Sequence, residues 1–225
     1  MPEIVINGPE GRLEARYQQS AAPNAPVALI LHPHPEYGGT MNNKVTYALF
    51  KAFTTMGFNT MRFNFRGIGK SEGSFSDGEG ELADAAAVMD WLQAYNKNAS
   101  AFWVGGFSFG AWIGMQLLMR RPELDGFISV APPANLFDFS FLAPCPVPGL
   151  IVHGEQDTIV PRESVDRLYK ERLEPLKSID VDYQIMPQAG HFFDHELHDL
   201  MGRVQKHVKS RSQADTPPQP KSKAA

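Results

Sequence analysis

Ser108 stands between Gly106 and Gly110 in the pattern G-x-S-x-G. The residues before it, 101–105, are apolar and strand-like, whereas residues 111–120 after it have the composition of a helix. A serine at such a junction lies on a sharp turn that lifts its hydroxyl clear of the sheet, provided that the neighbouring residues are small. The flanks therefore predict that Ser108 is a nucleophile that attacks a carbonyl carbon.

A serine nucleophile needs a base, and Asp157 and His191 are placed to supply one. Asp157 lies 49 residues beyond Ser108 in a loop after an apolar strand, and His191 follows the last strand, 34 residues further on. A histidine can take the serine proton while a carboxylate holds it in the required tautomer. Gly190 is expected to let the His191 loop approach the serine closely. Either residue alone could be a turn or cap residue, but the three in this order predict a catalytic triad.

The elements that must position these residues alternate along the chain. Continuous apolar runs such as residues 26–32 are typical of strands buried on both faces. Strands are predicted at residues 3–6, 12–18, 26–32, 59–65, 101–105, 125–131, 148–153 and 181–186, and helices at 41–56, 80–94, 111–120, 162–173 and 193–208. This alternation predicts an α/β fold with a mostly parallel eight-stranded sheet and helices on both faces. Ligands bind at the carboxyl ends of the strands in such sheets, where all three candidate residues lie.

Length and composition bound the class of protein. A chain of 225 residues is expected to form one domain, here residues 1–208, followed by a disordered tail at 209–225. The net charge of −4 gives no support to a nucleic-acid partner. No apolar run reaches the roughly 20 residues of a membrane span, so no membrane partner is expected. With Cys145 as the only cysteine and no signal peptide apparent, the expected location is the cytoplasm.

The chain resembles the α/β-hydrolase superfamily, and more closely its small bacterial members related to dienelactone hydrolase. Besides the three candidate residues, the resemblance rests on HPHP and GGTM within 32–41, on FRGIGKSEG at 65–73, and on HGEQD and VP within 153–161. It covers residues 1–208 and implies the α/β-hydrolase fold with a triad of Ser108, Asp157 and His191. Dienelactone hydrolase itself has cysteine where this chain has Ser108, which puts a dienelactone substrate in doubt.

Acyl transfer also requires two backbone N–H groups that bind the developing oxyanion. Phe109, directly after the nucleophile, is expected to supply one. The second is expected from the loop after the third strand, where two prolines have no N–H group. His34 is the first candidate there, with Glu36 and Tyr37 behind it. His32 and His34 could suggest a metal, but no third ligand has suitable spacing, so no metal is expected.

The loop at residues 66–73 contains Gly67-x-Gly69, which is too incomplete to indicate a phosphate site. A structural loop with Arg66 paired internally is expected instead. Only 16 residues, 132–147, separate the sixth and seventh strands, too few for a large cap domain.

An open and partly apolar cleft is therefore expected, with Tyr37, Phe107 and Trp112 as candidate substrate-binding residues. Phe107 could equally face the core, and the aromatic segment 135–142 could form a pocket wall or simply pack on the body.

These observations predict a serine hydrolase that cleaves small-molecule carboxylic esters or thioesters through an acyl-enzyme intermediate, without a cofactor. Peptidases and acyltransferases use the same machinery, and the residues do not separate them. A binding module that kept the fold without catalysis is a further alternative. Homodimers are common for such folds, but no pattern in this chain indicates one.

Overall fold

The centre of the molecule is an eight-stranded sheet, seen in a computed structural model that describes residues 3–142, 145–174 and 179–214. The strands are β1 (Glu3–Gly8), β2 (Gly11–Gln18), β3 (Val27–Leu31), β4 (Asn59–Phe63), β5 (Phe102–Phe107), β6 (Gly126–Val130), β7 (Gly149–Gly154) and β8 (Val181–Met186). Their order across the sheet is β1-β2-β4-β3-β5-β6-β7-β8. Strand β2 pairs antiparallel with β1 and β4, and the other pairings are parallel. The predicted mostly parallel eight-stranded sheet is confirmed.

Helices cover both faces of this sheet. In the described ranges they are α1 (Lys44–Thr55), α2 (Glu79–Tyr95), α3 (Phe109–Leu118), α4 (Arg162–Leu168) and α5 (Leu197–Ala214). Apolar residues of α1 and α5 form one core cluster with the sheet, and those of α2, α3 and α4 form a second cluster. All five residues of β3 are buried, since both of its faces are covered. Helix α4 ends earlier than predicted, and a wider π-helical turn, Tyr169–Leu173, continues it.

The first helix begins at Lys44 instead of residue 41, because Asn43 caps it. The Asn43 side-chain oxygen accepts hydrogen bonds from the N–H groups of Val45 and Thr46, at 2.9 and 3.3 Å. These donors have no partner inside a helix, and an asparagine at the preceding position satisfies them. The cap therefore decides the boundary, and it leaves Asn43 beside the candidate site.

The last helix differs from its predicted bounds at both ends. Phe193 has a φ of +50°, which a helix does not accommodate, so α5 starts at Leu197 instead of 193. The helix then continues past the predicted boundary at 208 as far as Ala214, and Arg211 pairs with Asp180 beside β8. The helix thus includes residues 209–214 of the segment for which a disordered tail was expected. The rest of the predicted tail, 215–225, lies outside the described residues.

The connection between β6 and β7 carries no large cap domain. Within its described residues it holds one short helical turn, Ser140–Leu142. The carboxyl ends of the central strands are therefore open on this side. Of the helices in the described part of the chain, none combines the length and the hydropathy that a bilayer crossing requires.

Candidate active site

Ser108 occupies the sharp turn between β5 and α3. Its backbone has φ +53° and ψ −119°, a strained conformation for a residue with a side chain. A Cβ at Gly106 would collide with the Gly110 carbonyl, and one at Gly110 would lie 2.5 Å from the Leu31 carbonyl oxygen. The two glycines are needed because the backbones pass this closely, as the pattern predicts. The turn leaves the Ser108 side chain partly exposed at the end of the sheet.

The three candidate residues form one hydrogen-bonded chain. His191 Nδ1 lies 2.7 Å from Asp157 Oδ2, and His191 Nε2 lies 3.1 Å from Ser108 Oγ. A carboxylate only accepts hydrogen bonds, so Nδ1 is the protonated nitrogen. Nε2 is then free to accept the serine proton. The fold thus brings together residues that are far apart in sequence, in the geometry that a serine nucleophile needs.

Asp157 is held by its own loop as well as by His191. Its other carboxylate oxygen, Oδ1, accepts hydrogen bonds from the N–H groups of Ile159 and Val160, at 2.9 and 2.8 Å. Burial by itself raises the pKa of Asp157, but the hydrogen bonds from His191 and the loop amides outweigh it and hold the pKa below its usual value. Asp157 is therefore an anion whose charge faces the histidine.

Gly154, and not Gly190, is the glycine that lets the Asp157 and His191 loops meet. A Cβ at Gly154 would collide with the carbonyl oxygen of Ala189. At Gly190 the nearest atom would be the Gln156 carbonyl oxygen at 3.8 Å, an ordinary contact. The expectation that Gly190 permits the close approach is therefore wrong, because the crowding occurs at the end of β7.

Several N–H groups of the loop after β3 already have partners within the protein. The Glu36 N–H donates to His34 Nδ1 at 3.2 Å, and the Tyr37 N–H donates to the His34 carbonyl at 3.2 Å. This leaves the His34 N–H as the first candidate of this loop. Phe109 is the first residue of α3, where a backbone N–H has no partner inside the helix.

His32 braces this loop and is not placed as a ligand. Its Nδ1 donates to the Pro33 carbonyl at 2.7 Å, and its Nε2 accepts from the Phe65 N–H at 3.0 Å. Complete burial lowers the pKa of His32 to about 4, so the ring is neutral. Among the residues that the structure describes, no three His, Cys, Asp or Glu side chains cluster in a way that could hold a metal ion.

The glycine-containing loop at 66–73 is anchored by a buried ion pair. Arg66 donates from Nη2 to Asp84 Oδ1 at 2.7 Å and from Nε to Asp84 Oδ2 at 3.0 Å. The pKa of Arg66 is raised by this hydrogen-bonded carboxylate. The guanidinium is thus committed to the protein itself, as expected for a structural loop.

A pocket of about 460 Å³ opens above Ser108. Its walls are formed by residues from several loops: Pro33, His34, Tyr37, Gly38, Gly39, Asn43, Ser108, Phe109, Pro133, Leu136, Phe137, Ile159, His191 and Phe192. Tyr37 was expected here and lines the pocket. The aromatic segment 135–142 fulfils both alternatives left open for it, since Leu136 and Phe137 line the pocket while Phe139 and Leu142 pack in the core.

Phe107 and Trp112 do not line this pocket. Phe107 is fully buried and packs against the His191 ring, with 5.1 Å between the ring centroids. Trp112 stacks on Phe137 at 4.3 Å and donates from Nε1 to the Asp138 carbonyl. Both residues support the site from behind, Phe107 against the His191 ring and Trp112 against Phe137.

Ile159 and Phe192 are pocket residues that the sequence analysis missed. Each stands within two residues of a triad candidate, Asp157 or His191, and that proximity was the signal available. Pro133 and Asn43 carried no comparable signal. Loops that are distant in sequence bring them together only in the folded chain.

The fold and the site together define an α/β hydrolase without a large cap domain. The family model for the X-Pro dipeptidyl-peptidase (S15) family matches residues 12–145, more than half of the chain. The chain belongs to this family. The matched region contains Ser108 but ends before Asp157 and His191.

Relatives and solved structures agree with this class. RP471, an uncharacterized protein of Rickettsia prowazekii, is 48% identical over 211 residues, which cover 92% of this chain and 89% of the relative. ATU1826 of Agrobacterium tumefaciens, a protein of unknown function assigned to the α/β hydrolases, has 51% identity and a TM-score of 0.92, covering 97% of this chain and 100% of its own. XC6422 of Xanthomonas campestris, an α/β serine hydrolase without lid, has 34% identity and a TM-score of 0.82, covering 96% of each chain.

Proposed function

We propose that this hydrolase cleaves carboxylic esters or thioesters through an acyl-enzyme formed on Ser108. The observation that carries the proposal is the hydrogen-bonded chain from Asp157 through His191 to Ser108, with lengths of 2.7 and 3.1 Å. Ser108 Oγ attacks the substrate carbonyl carbon while its proton passes to His191 Nε2. Asp157 stabilises the imidazolium that forms.

The oxyanion of the tetrahedral intermediate is bound by two backbone N–H groups, those of Phe109 and His34. The Phe109 N–H belongs to the N-terminus of α3, where the helix dipole favours negative charge. The assignment of the His34 N–H to this role is supported by the next two N–H groups of the loop, those of Glu36 and Tyr37, which donate to His34 itself. Donors fixed in place before the reaction cost no reorganisation as the charge develops.

The reaction then needs no group beyond the protein and water. As the bond between the acyl carbon and the leaving group breaks, His191 gives its proton to that group. The proton goes to the oxygen of a leaving alcohol or to the sulfur of a leaving thiol. Water attacks the acyl-enzyme with His191 again acting as base, and the carboxylic acid leaves as Ser108 regains its proton. No cofactor takes part in this sequence of steps.

A peptidase is the second candidate, because the family model is that of an X-Pro dipeptidyl-peptidase. Such a substrate presents a free α-ammonium group, which a buried site binds with a carboxylate. Among the described residues that line the pocket, none is Asp or Glu. The apolar walls therefore favour an ester with an uncharged acyl group over a dipeptide.

A fluorophosphonate probe tests the catalytic role, and a substrate panel tests the bond. The probe should label wild-type protein at Ser108, with labelling lost in Ser108→Ala and strongly reduced in His191→Ala. Labelling that is unaffected by His191→Ala, or none in folded wild-type protein, would favour a binding module. The panel should contain p-nitrophenyl esters, acyl thioesters and Xaa-Pro anilides. Faster turnover of the anilides than of the esters would assign the protein as a peptidase.

A further inference from the structure

Large apolar side chains gather at the mouth of the catalytic pocket. In the described part of the chain, eight large hydrophobic residues are exposed, and four of these line this pocket. The four are Tyr37, Leu136, Ile159 and Phe192, which are 86%, 64%, 45% and 42% exposed. They come from four different loops, after β3, β6, β7 and β8. Scattered exposed apolar residues need no explanation, but a cluster around one opening indicates a ligand or an interaction surface.

These four residues, here termed the apolar rim, continue the inner wall of the pocket. Deeper in the pocket, Phe109, Phe137 and Pro133 present further apolar surface beside Ser108. Phe137 is fixed by its stack on Trp112, and its ring also meets that of Phe109 at 5.8 Å. One wall of the pocket, from beside Ser108 to the apolar rim, is therefore apolar, and packing holds its Phe137 ring in place.

Charged groups contribute little to this path. The ionisable side chains among the described lining residues are Tyr37, His34 and His191. Burial lowers the pKa of His34, which favours its neutral form. Lys44 lies 5.9 Å from the centre of the Phe192 ring, but it is paired with Asp194. A chain that crosses the rim therefore meets apolar surface and one neutralised cation.

We propose that the acyl group of the substrate is a long apolar chain, which leads from Ser108 along Phe137 and across the apolar rim. This inference rests on the proposed ester hydrolysis and names the substrate class of the same site. With no cap domain to enclose it, the far end of the chain lies over the rim. The rim thereby takes the place of the walls that a cap would supply.

A series of p-nitrophenyl esters of increasing chain length tests this assignment. Acetate, butyrate, octanoate and decanoate esters are compared below the concentrations at which they form micelles. Burial of each methylene should raise kcat/KM by up to about fourfold, so octanoate should exceed acetate by about 100-fold or more. Equal or better turnover of acetate would overturn the proposal. No turnover of any ester, together with no fluorophosphonate labelling, would instead overturn the proposed function.

Rim variants and matched controls locate the effect. Leu136→Ser and Ile159→Ser should each lower the ratio of octanoate to acetate turnover by about fivefold or more. Val5→Ser and Met119→Ser change exposed apolar residues outside the pocket and should leave that ratio unchanged. An equal effect of the controls would overturn the proposal. So would unchanged ratios in both rim variants.

A binding measurement separates the acyl chain from other occupants of the rim. Ser108→Ala should bind decanoate in calorimetry and bind butyrate much more weakly, since turnover is not needed for this readout. The rim could instead contact a second copy of this chain or a lipid surface. Either alternative would overturn the proposal if turnover also did not depend on chain length. A second copy would be indicated by a dimer that Leu136→Ser dissociates, and a lipid surface by co-sedimentation with phosphatidylcholine vesicles.

Discussion

The imidazole of His153 lies 4.0 Å from the Asp157 carboxylate but donates its hydrogen bond elsewhere. Its Nε2 lies 3.0 Å from the Val160 carbonyl, so Nε2 carries the proton. Burial lowers the pKa of His153 and favours the neutral ring. Since the Val160 N–H donates to Asp157, His153 holds the loop that orients the carboxylate. His153 is thus a positioning residue behind the proposed triad.

Replacement of His153 should lower turnover without removing a catalytic group. In His153→Phe the Val160 carbonyl loses its donor, and the Asp157 loop should loosen. A displacement of the carboxylate should lower kcat for ester hydrolysis by about 10- to 100-fold with little change in KM. His153→Gln keeps an N–H donor and should recover part of kcat. An unchanged kcat in folded His153→Phe would show that His153 does not position the Asp157 carboxylate for turnover.

Gly110→Ala should destabilise the protein and Gly202→Ala should stabilise it. A Cβ at Gly110 would lie 2.5 Å from the Leu31 carbonyl oxygen, against a backbone that cannot move freely. We expect a loss of about 1–3 kcal/mol in the free energy of unfolding, measured in urea. Gly202 lies within α5 with open space around the added atom, so alanine should gain about 0.5–1 kcal/mol. Equal effects at both sites would contradict the close approach at the turn.

Loss of Asp84 should be far more costly than loss of Glu72. The Asp84 and Arg66 side chains are almost fully buried, so Asp84→Ala leaves the buried guanidinium with only the half-exposed carboxylate of Glu10, 3.2 Å from Arg66 Nη1. The expected loss is about 3–5 kcal/mol in the free energy of unfolding. Glu72 pairs with Arg12 on the surface, where solvent screens the two charges, so Glu72→Ala should cost much less. Denaturant titrations of both variants measure the two losses in the free energy of unfolding. Losses of similar size would contradict the prediction.

Protonation of buried His32 should weaken the fold in mild acid. The folded-state pKa of about 4 lies below the usual 6.5, so the unfolded chain takes up this proton first. The stability contribution is fully present above pH 6.5 and is lost as the pH falls toward 4, on the order of 3 kcal/mol in total. Urea titrations between these values should show the decline. An NMR resonance of His32 that titrates near pH 6.5 would contradict the prediction.

Much of the fold was predictable because its signals are local. The apolar runs of β3 and β7 reflect two covered faces, and they predict buried parallel strands. Helix boundaries were less predictable, since a cap such as Asn43 or a strained residue such as Phe193 decides them. The extension of α5 to Ala214, where Arg211 pairs with the distant Asp180, is not revealed by any local pattern.

The candidate residues of the site could be identified from local patterns, because Ser108, Asp157 and His191 each follow a recognisable strand. The distances between them depend on the folded chain. So does the role of Gly154, where the Asp157 and His191 loops meet. The folded chain also places Phe107 behind the site, whereas residues of the surrounding loops line the pocket. Pocket walls form where loops from separate strands converge, and the contacts between those loops depend on packing across the whole sheet, which no local stretch of sequence encodes.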